Sequence, residues 1–430
     1  MTLSERIKVE AGRLGFSAAG IVPAGPALTH DFYADWLSAG MAGEMAYLHR
    51  HGPLKTDPRV VVPGTVSLIM VTHPYDGPDS GRLPSGSGNS PRSQSDQQTP
   101  LYGRISRYAR GRDYHVVMRE KLEALAAFIS EQQGDPSGAQ TFSHSVFVDS
   151  GPIMEREFAM RAGLGWVGKN ANLIHWDQGS WRFLGALLVN IPLEPDAAAL
   201  KGRAKAPPGG KPVGSWARES CGTCTRCIEA CPTGAIVGEK KVDARLCISY
   251  LTIELKGAIP HDLRPGLGDW VFGCDICQEV CPWNHKAERQ ASRKKPALNM
   301  EASGPQALEA KVSAVDLLKL DEAAFKARYR DTALWRTKRR GLLRNAAVVL
   351  GNQLAGKGEG TAALSSEVKE AVIVLVRALK DHEPLVRGAA AWALGRLGGA
   401  EARDALKAAQ VEETEKAVQE ELKLALAEAD

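Results

Sequence analysis

The stretch C-G-T-C-T-R-C-I-E-A-C-P, residues 221–232, sets Cys221, Cys224, Cys227 and Cys231 in a C-x2-C-x2-C-x3-C-P run. A second run, C-D-I-C-Q-E-V-C-P at 274–282, carries Cys274, Cys277 and Cys281, and Cys247 lies between the two. These are all 8 cysteines of the chain. Two-residue steps gather thiolates around one soft metal centre, and the proline turns the chain away after the last ligand. Structural zinc also uses C-x2-C pairs. Three cysteines at that step followed by x3-C-P suit iron–sulfur chemistry better, so the spacing predicts two [4Fe–4S] clusters.

In a two-cluster ferredoxin the fourth cysteine of each run serves the other cluster. The second run here lacks its first member, because Val271 stands three residues before Cys274. Cys247 is the spare thiol that replaces it. The expected partition is Cys221, Cys224, Cys227 and Cys281 for one cluster, and Cys231, Cys247, Cys274 and Cys277 for the other.

At 430 residues the chain has room for two or three domains. Charged residues make up 24% and hydrophobic ones 44%, ordinary for a globular protein. No apolar run approaches a membrane span, and M-T-L-S-E-R-I-K lacks a signal-peptide core. With every thiol assigned to clusters, none remains for disulfides, which points to a reducing cytoplasm. The net charge of +4 is too small to name a partner.

Working outward from the cysteines, residues 2–15 read as an amphipathic helix with Thr2 and Glu5 spaced as a capping box. Val66–Val71, Ser145–Val148 and Ser180–Asn190 read as buried strands. Between the first two, residues 76–100 hold 14 Gly, Pro or Ser in 25 positions, a composition that cannot build a core. R-I-S-R-Y-A-R-G-R-D-Y-H at 104–115 is dense in donors and rings, and fits a ligand site or a solvated helix start equally well. Asp149 follows a strand, where open α/β sheets place their ligands; it also fits a cap that bonds backbone amides. A helix over 152–162 opens with Pro152. G-L-G-W-V-G-K-N-A-N at 163–172 suggests backbone drawn close to a polar ligand, although it matches neither a Walker A loop nor G-x-G-x-x-G. A Lys/Gly/Pro-rich linker, 201–214, leads into the cysteine runs.

Beyond residue 290 the pattern turns helical. L-L-R-N-A-A-V-V-L-G-N (342–352) and L-V-R-G-A-A-A-W-A-L-G (385–395) superpose Arg344 on Arg387, a HEAT-like period. The last twenty residues carry seven acids against two lysines and read as a solvated helix. Between Lys326 and Arg344 stand eight basic residues against one acid, Asp331, with Tyr329 and Trp335 interleaved. Lys286, Arg289, Arg293, Lys294 and Lys295 form a second basic group. A charge run is usually a wet surface. A one-sided run with rings also fits phosphates and an unstacked base, which selects Lys286, Arg289, Arg336, Lys338, Arg339 and Arg340 as candidate nucleic-acid contacts.

Taken in order, S-R-Y-A-R-G-R-D-Y-H, D-S-G-P-I-M-E-R-E with G-W-V-G-K-N, the two cysteine runs, and R-N-A-A-V-V-L-G-N resemble the epoxyqueuosine reductases. These are cobalamin-dependent enzymes that finish queuosine in tRNA anticodons. The resemblance implies an α+β multidomain protein. It would comprise an α/β cobalamin-binding catalytic domain over 1–215 related to reductive dehalogenases, a ferredoxin-like domain over 216–290, and a HEAT-like helical domain over 291–430. It also implies Asp149 as proton donor. Cobalamin contacts would come from Arg107, Tyr108, Asp149, Lys169, Asn170, Ala171, Ser249 and Asp275. The D-x-H-x-x-G signature of base-off corrinoid proteins is missing, since Met118 stands where its glycine would be; the family is similar in dispensing with that histidine.

The implied reaction converts an epoxide to an alkene with two electrons and two protons, and releases water. Its partners would be a tRNA anticodon stem-loop and an unidentified electron donor, with the enzyme a cytoplasmic monomer. A dehalogenase-like enzyme acting on a small molecule, and a non-catalytic electron carrier bearing a protein-binding solenoid, are the competing readings. The first leaves the basic segments surplus, and the second leaves Asp149 and the 163–172 loop unexplained.

Overall fold

The computed structural model describes residues 1–75, 101–133, 141–196, 220–293, 308–358 and 365–429. The Gly/Pro/Ser-rich segment 76–100, the linker 201–214, and Lys294 and Lys295 lie outside them. The chain divides into two compact units. The first takes the described residues within Met1–Pro78, Arg112–Arg245 and Asp275–Gly304. The second takes those within Asp79–Gly111, Leu246–Cys274 and Pro305–Asp430.

The first unit is built on a four-stranded sheet in the order Ala18–Pro23, Ser67–Pro74, Arg182–Val189, His144–Phe147. Every pairing in it is antiparallel. Side chains alternate across a strand, and Ser67–Pro74 shows the result. Ile69 and Val71 pack with Ile7, Met118 and Leu122, from the helices Leu3–Arg13 and Tyr114–Gln132. Leu68 and Met70 face the other way, against Phe158 and Ala159 of the helix Glu155–Arg161. Helices on both faces explain why this strand reads as one continuous apolar run. The first helix starts at Leu3 with the expected capping box, Thr2 and Glu5 each accepting the other's backbone N–H.

Two expectations are corrected here. The antiparallel sheet is not the parallel α/β sheet whose strand ends collect ligands, so that rule gives no reason for Asp149. The helix after Asp149 begins at Glu155 rather than 152, and Met154 is its N-cap residue. Pro152 therefore belongs to the loop that carries Asp149.

The second unit joins a three-stranded sheet to an array of helices. Tyr102–Ile105 is the central strand, parallel to Trp270–Phe272 and antiparallel to Lys311–Ser313. The helices Lys338–Leu354, Ser366–Ala378, Pro384–Leu397, Ala400–Glu412 and Lys416–Ala429 follow. Small residues let them close. A Cβ on Gly351 would lie 2.5 Å from the Trp392 ring, and one on Gly395 would lie 2.8 Å from Ala425. The acidic final helix is not merely solvated. Val418, Leu422 and Ala425 are buried, and Glu421 receives two hydrogen bonds from Arg264, at 2.6 and 3.0 Å.

Candidate functional site

In the first unit, Cys221, Cys224, Cys227 and Cys281 line one cavity of about 220 Å³ together with Lys169, Asn170 and Trp283. Cys281 comes from the second cysteine run and the other three from the first. Burial pushes the Cys227 and Cys281 thiols up, and the sulfurs of Cys221 and Cys224 add to the effect in both. Four sulfurs converging on one cavity suit a soft metal centre among them. Around Cys281 the wall is apolar: Trp166 packs edge-on to Trp283 at 4.9 Å and tilts against Trp176 at 5.5 Å.

Cys231 and Cys277 also belong to this unit. The Ala235 N–H donates to Cys231 Sγ at 3.3 Å, and Asn172 Nδ2 approaches Cys277 Sγ at 4.0 Å. Cys247 and Cys274 belong to the second unit. There Cys247 is the N-cap residue of the helix Ile248–Ile253, which holds Ser249 half-buried. Arg107 and Tyr108 lie in the same unit, on the 3-10 turn Arg107–Ala109. That turn packs on the segment leading to Cys274. Ser106 N–H donates to Phe272 O at 2.9 Å, and a Cβ on Gly273 (φ +68°) would lie 2.5 Å from Ser106 Cβ.

The loop 163–172 is a tight hairpin, its strands Trp166–Val167 and Leu173–Ile174 paired antiparallel. Its glycines serve the hairpin itself, since a Cβ on Gly165 would meet the Ile174 carbonyl oxygen at 2.3 Å. Lys169, Asn170 and Ala171 form the tip, and Ala171 has φ +61°. Lys169 Nζ lies 2.8 Å from Glu239, and Asn170 Nδ2 donates to Cys277 O at 3.3 Å. Asp275 is buried, and its carbonyl accepts the Gln278 and Glu279 N–H groups.

Asp149 sits two residues beyond the strand His144–Phe147, with φ +57° and an exposed side chain. Its Oδ2 accepts from the Tyr114 hydroxyl at 2.6 Å and lies 3.6 Å from His115 Nε2. The Tyr114 ring stacks on Phe183 with centroids 4.3 Å apart. His115 Nδ1 donates to Asp113 at 2.8 Å. Beneath the loop, Glu155 Oε1 accepts the Asp149 N–H at 2.8 Å. Burial, and next the charge of Asp149, push the Glu155 carboxyl up to about 7. Burial pushes Lys55 down, and its ammonium donates to Ile153 O at 3.2 Å. Tyr114, His115 and Glu155 lie inside the sequence motifs but carry no role that spacing reveals, and Lys55 lies outside every motif. Nothing in their spacing announces a cluster assembled around Asp149 from three separate segments.

The basic segments divide by burial. Arg336, Lys338 and Arg340 are exposed, with the Lys338 ammonium 4.6 Å from the Trp335 ring. Arg339 is not a surface group: its side chain is 7% exposed, pairs with Asp381 (9%), and donates to Leu320 O. It leaves the set of candidate phosphate contacts for that reason. Tyr329 and Arg344 are also buried, so neither can meet a base or a phosphate. In the first unit Arg289 is exposed, while Lys286 is half-buried and donates to Trp176 O.

Three family profiles match in chain order. They are epoxyqueuosine reductase QueG, DUF1730, over residues 55–150, the 4Fe-4S double cluster binding domain over 220–284, and HEAT repeats over 336–427. The epoxyqueuosine reductase of Burkholderia pseudomallei is 38% identical over 407 residues, covering 91% of each chain. A crystal structure of epoxyqueuosine reductase with an epoxyqueuosine-modified tRNA-Tyr stem loop superposes with a TM-score of 0.78 at 27% identity, over 99% of this chain and 98% of that one. The Bacillus subtilis enzyme, with its catalytic aspartate loop swung out of the active site, gives a TM-score of 0.77 at 25% identity over 100% and 99% of the chains. Likeness that runs the whole length of the chain and keeps the cysteine runs and the helical repeats in order makes this protein a member of the epoxyqueuosine reductase family.

Proposed function

We propose that this chain reduces epoxyqueuosine to queuosine at the wobble position of tRNA, with cobalamin and two [4Fe–4S] clusters as its cofactors. The observation that carries the reading is the end-to-end likeness to an epoxyqueuosine reductase holding a modified stem loop. Its catalytic unit is taken as 1–215 and as kin to reductive dehalogenases, followed by a ferredoxin-like 216–290 and a helical 291–430. An unidentified donor supplies electrons to a cytoplasmic monomer. Among the described residues, no helix is long and apolar enough to cross a membrane.

The residues suit these groups. The cavity lined by Cys221, Cys224, Cys227 and Cys281 offers four sulfurs to one cluster. Cys231, Cys247, Cys274 and Cys277 are assigned to the other. For the corrin, Lys169, Asn170 and Ala171 offer a polar hairpin tip with a buried amide, which matches a rim fringed with amides. Arg107, Tyr108, Ser249 and Asp275 complete the proposed set. When bound, cobalamin supplies a two-electron nucleophile, and the clusters supply electrons one at a time.

The chain's own part is the proton. As the epoxide C–O bond opens, the oxygen becomes an alkoxide that must be protonated, and Asp149 is the acid. The Tyr114 hydroxyl holds Oδ2, so the carboxyl is oriented before substrate arrives. His115, fixed by Asp113, stands near enough to return a proton to Asp149 after turnover. The exposed Arg336, Lys338, Arg340 and Arg289, with Lys286, are assigned to the stem-loop phosphates.

Nucleoside analysis of tRNA from cells lacking this protein tests the reading. Accumulated epoxyqueuosine, cleared by the wild-type gene, supports it. Unchanged tRNA refutes it and favours a small-molecule substrate.

A further inference from the structure

A residue with a Cβ resists the left-handed conformation, and Asp149 adopts it with φ +57°. Its loop is tightly folded. A Cβ on Gly151 would fall 2.3 Å from Phe147 Cδ1, and Ser150 N–H turns back to Val148 O at 2.6 Å. The Asp149 N–H points to Glu155 Oε1 at 2.8 Å, away from its own strand. Glu155 occupies the first turn of the helix Glu155–Arg161, whose Phe158 and Ala159 are fully buried under the sheet. One end of this hydrogen bond is therefore rigid, and the other is the residue on which the chemistry depends.

We propose that Glu155 is a positioning residue: its carboxylate latches the Asp149 amide and so aims the Asp149 carboxyl at Tyr114, His115 and the substrate. The inference rests on the reading of Asp149 as proton donor. The groups facing Glu155 are Asp149 on the loop, Lys55 on the 3-10 turn Pro53–Thr56 and Arg156 on its own helix. Burial and Asp149 push its pKa up to about 7, while Lys55 and Arg156 pull the other way. An ionised carboxylate holds an N–H more tightly than a neutral acid. The latch consequently tightens as pH rises through about 7 and loosens below it.

The test uses the cofactor-loaded enzyme, an epoxyqueuosine-modified stem loop, and two variants. Glu155→Ala removes the acceptor; Glu155→Gln keeps an acceptor oxygen and removes the ionisation. In Glu155→Ala, hydrogen–deuterium exchange across residues 148–152 should rise, and kcat should fall roughly 10- to 100-fold. KM for the stem loop and the iron content should hold. Glu155→Gln should recover most of the protection and of kcat. It should also lose the wild-type change in protection between pH 6 and pH 8, after correction for intrinsic exchange. Unchanged exchange and kcat in Glu155→Ala overturn the proposal, and so does a wild-type pH response retained by Glu155→Gln. Should the alanine variant misfold, the glutamine comparison still decides. Asp149→Asn run alongside separates the two claims. Full turnover there removes Asp149 as proton donor, while the exchange measurement continues to judge the latch.

Discussion

Burial within one basic run makes a prediction with two opposite arms. Arg336, Lys338 and Arg340 are exposed, whereas Arg339 lies inside against Asp381. Replacing the exposed three with alanine should remove about three phosphate contacts. At roughly 0.7–0.9 per contact, the salt slope of stem-loop binding falls by about 2.1–2.7. A fourfold rise in salt, from about 50 to about 200 mM, should then shrink the gap between wild type and variant by roughly 20- to 40-fold. Unfolding in urea should not change. Arg339→Ala should do the reverse. Burial pushes Asp381 up, but the Arg339 hydrogen bonds, the Glu383 N–H and the Arg339 charge together outweigh it and leave the carboxyl below its usual range. Without the arginine the buried carboxylate keeps the Glu383 N–H at 3.0 Å but loses its buried charge partner, at a cost of about 3–5 kcal/mol. Fluorescence anisotropy across a potassium chloride series and urea unfolding read the two arms. A triple variant with the wild-type slope would show a wet surface and nothing more, and an Arg339→Ala protein of full stability would refute the buried pair.

Cys247→Ser should lower iron and sulfide from about eight to about four per chain, if each site holds a four-iron cubane; full iron content would sink the partition. Asp149→Asn should keep iron, cobalamin uptake and fold while slowing turnover ~10²–10⁴-fold in single-turnover assays, because the amide cannot donate the proton. For Glu155 the stability sign follows from a folded pKa raised from 4.5 to about 7. Between those values the folded state holds a proton that the unfolded state has released, so stability falls as pH rises, with the full cost present above about 7. Glu155 keeps part of its surface in solvent, which makes about 3 kcal/mol an upper bound on that cost. Glu155→Gln should therefore gain stability over wild type at pH 8 compared with pH 5, and a pH-independent difference in urea unfolding would contradict the assignment.

What could be read directly was whatever is local. The Thr2/Glu5 cap needs only three residues of spacing, and the apolar run around Leu68–Val71 needs only a sheet covered on both faces. The cysteine runs encode their own ligand geometry in short steps. The Asp149 surround escaped because Lys55, the pair Tyr114 and His115, and Glu155 come from three segments, and spacing says nothing about where separate segments converge. The antiparallel order escaped for the same reason, since a buried strand reads alike in either direction. Arg339 is different, because its role was legible and missed. A helix turns about 100° per residue, so Lys338, Arg339 and Arg340 cannot share a face. Arg339 lies on the stripe of Leu343, Ala346 and Leu350, all buried.

The R-N-A-A motif yields to the same reasoning and changes the account of the helical array. Arg344 is 1% exposed and donates to Leu251 O, Leu255 O and Gly257 O at 2.6–2.8 Å. Asn345 Nδ2 donates to Thr252 O and Val271 O, both at 2.8 Å. Thr252 Oγ1 in turn accepts the Gly273 N–H at 2.9 Å. These carbonyls end short elements and have no full ladder of their own, so the two side chains supply what regular structure would otherwise provide. A guanidinium satisfies three such acceptors at once, as no neutral side chain could. The helix Lys338–Leu354 thus grips the segment between Cys247 and Cys274 at both ends. Cys247 and Cys274, 27 positions apart, bound a segment that a helix of the repeat array braces through its backbone carbonyls, so the array is a structural support for that segment and not an appendage to it.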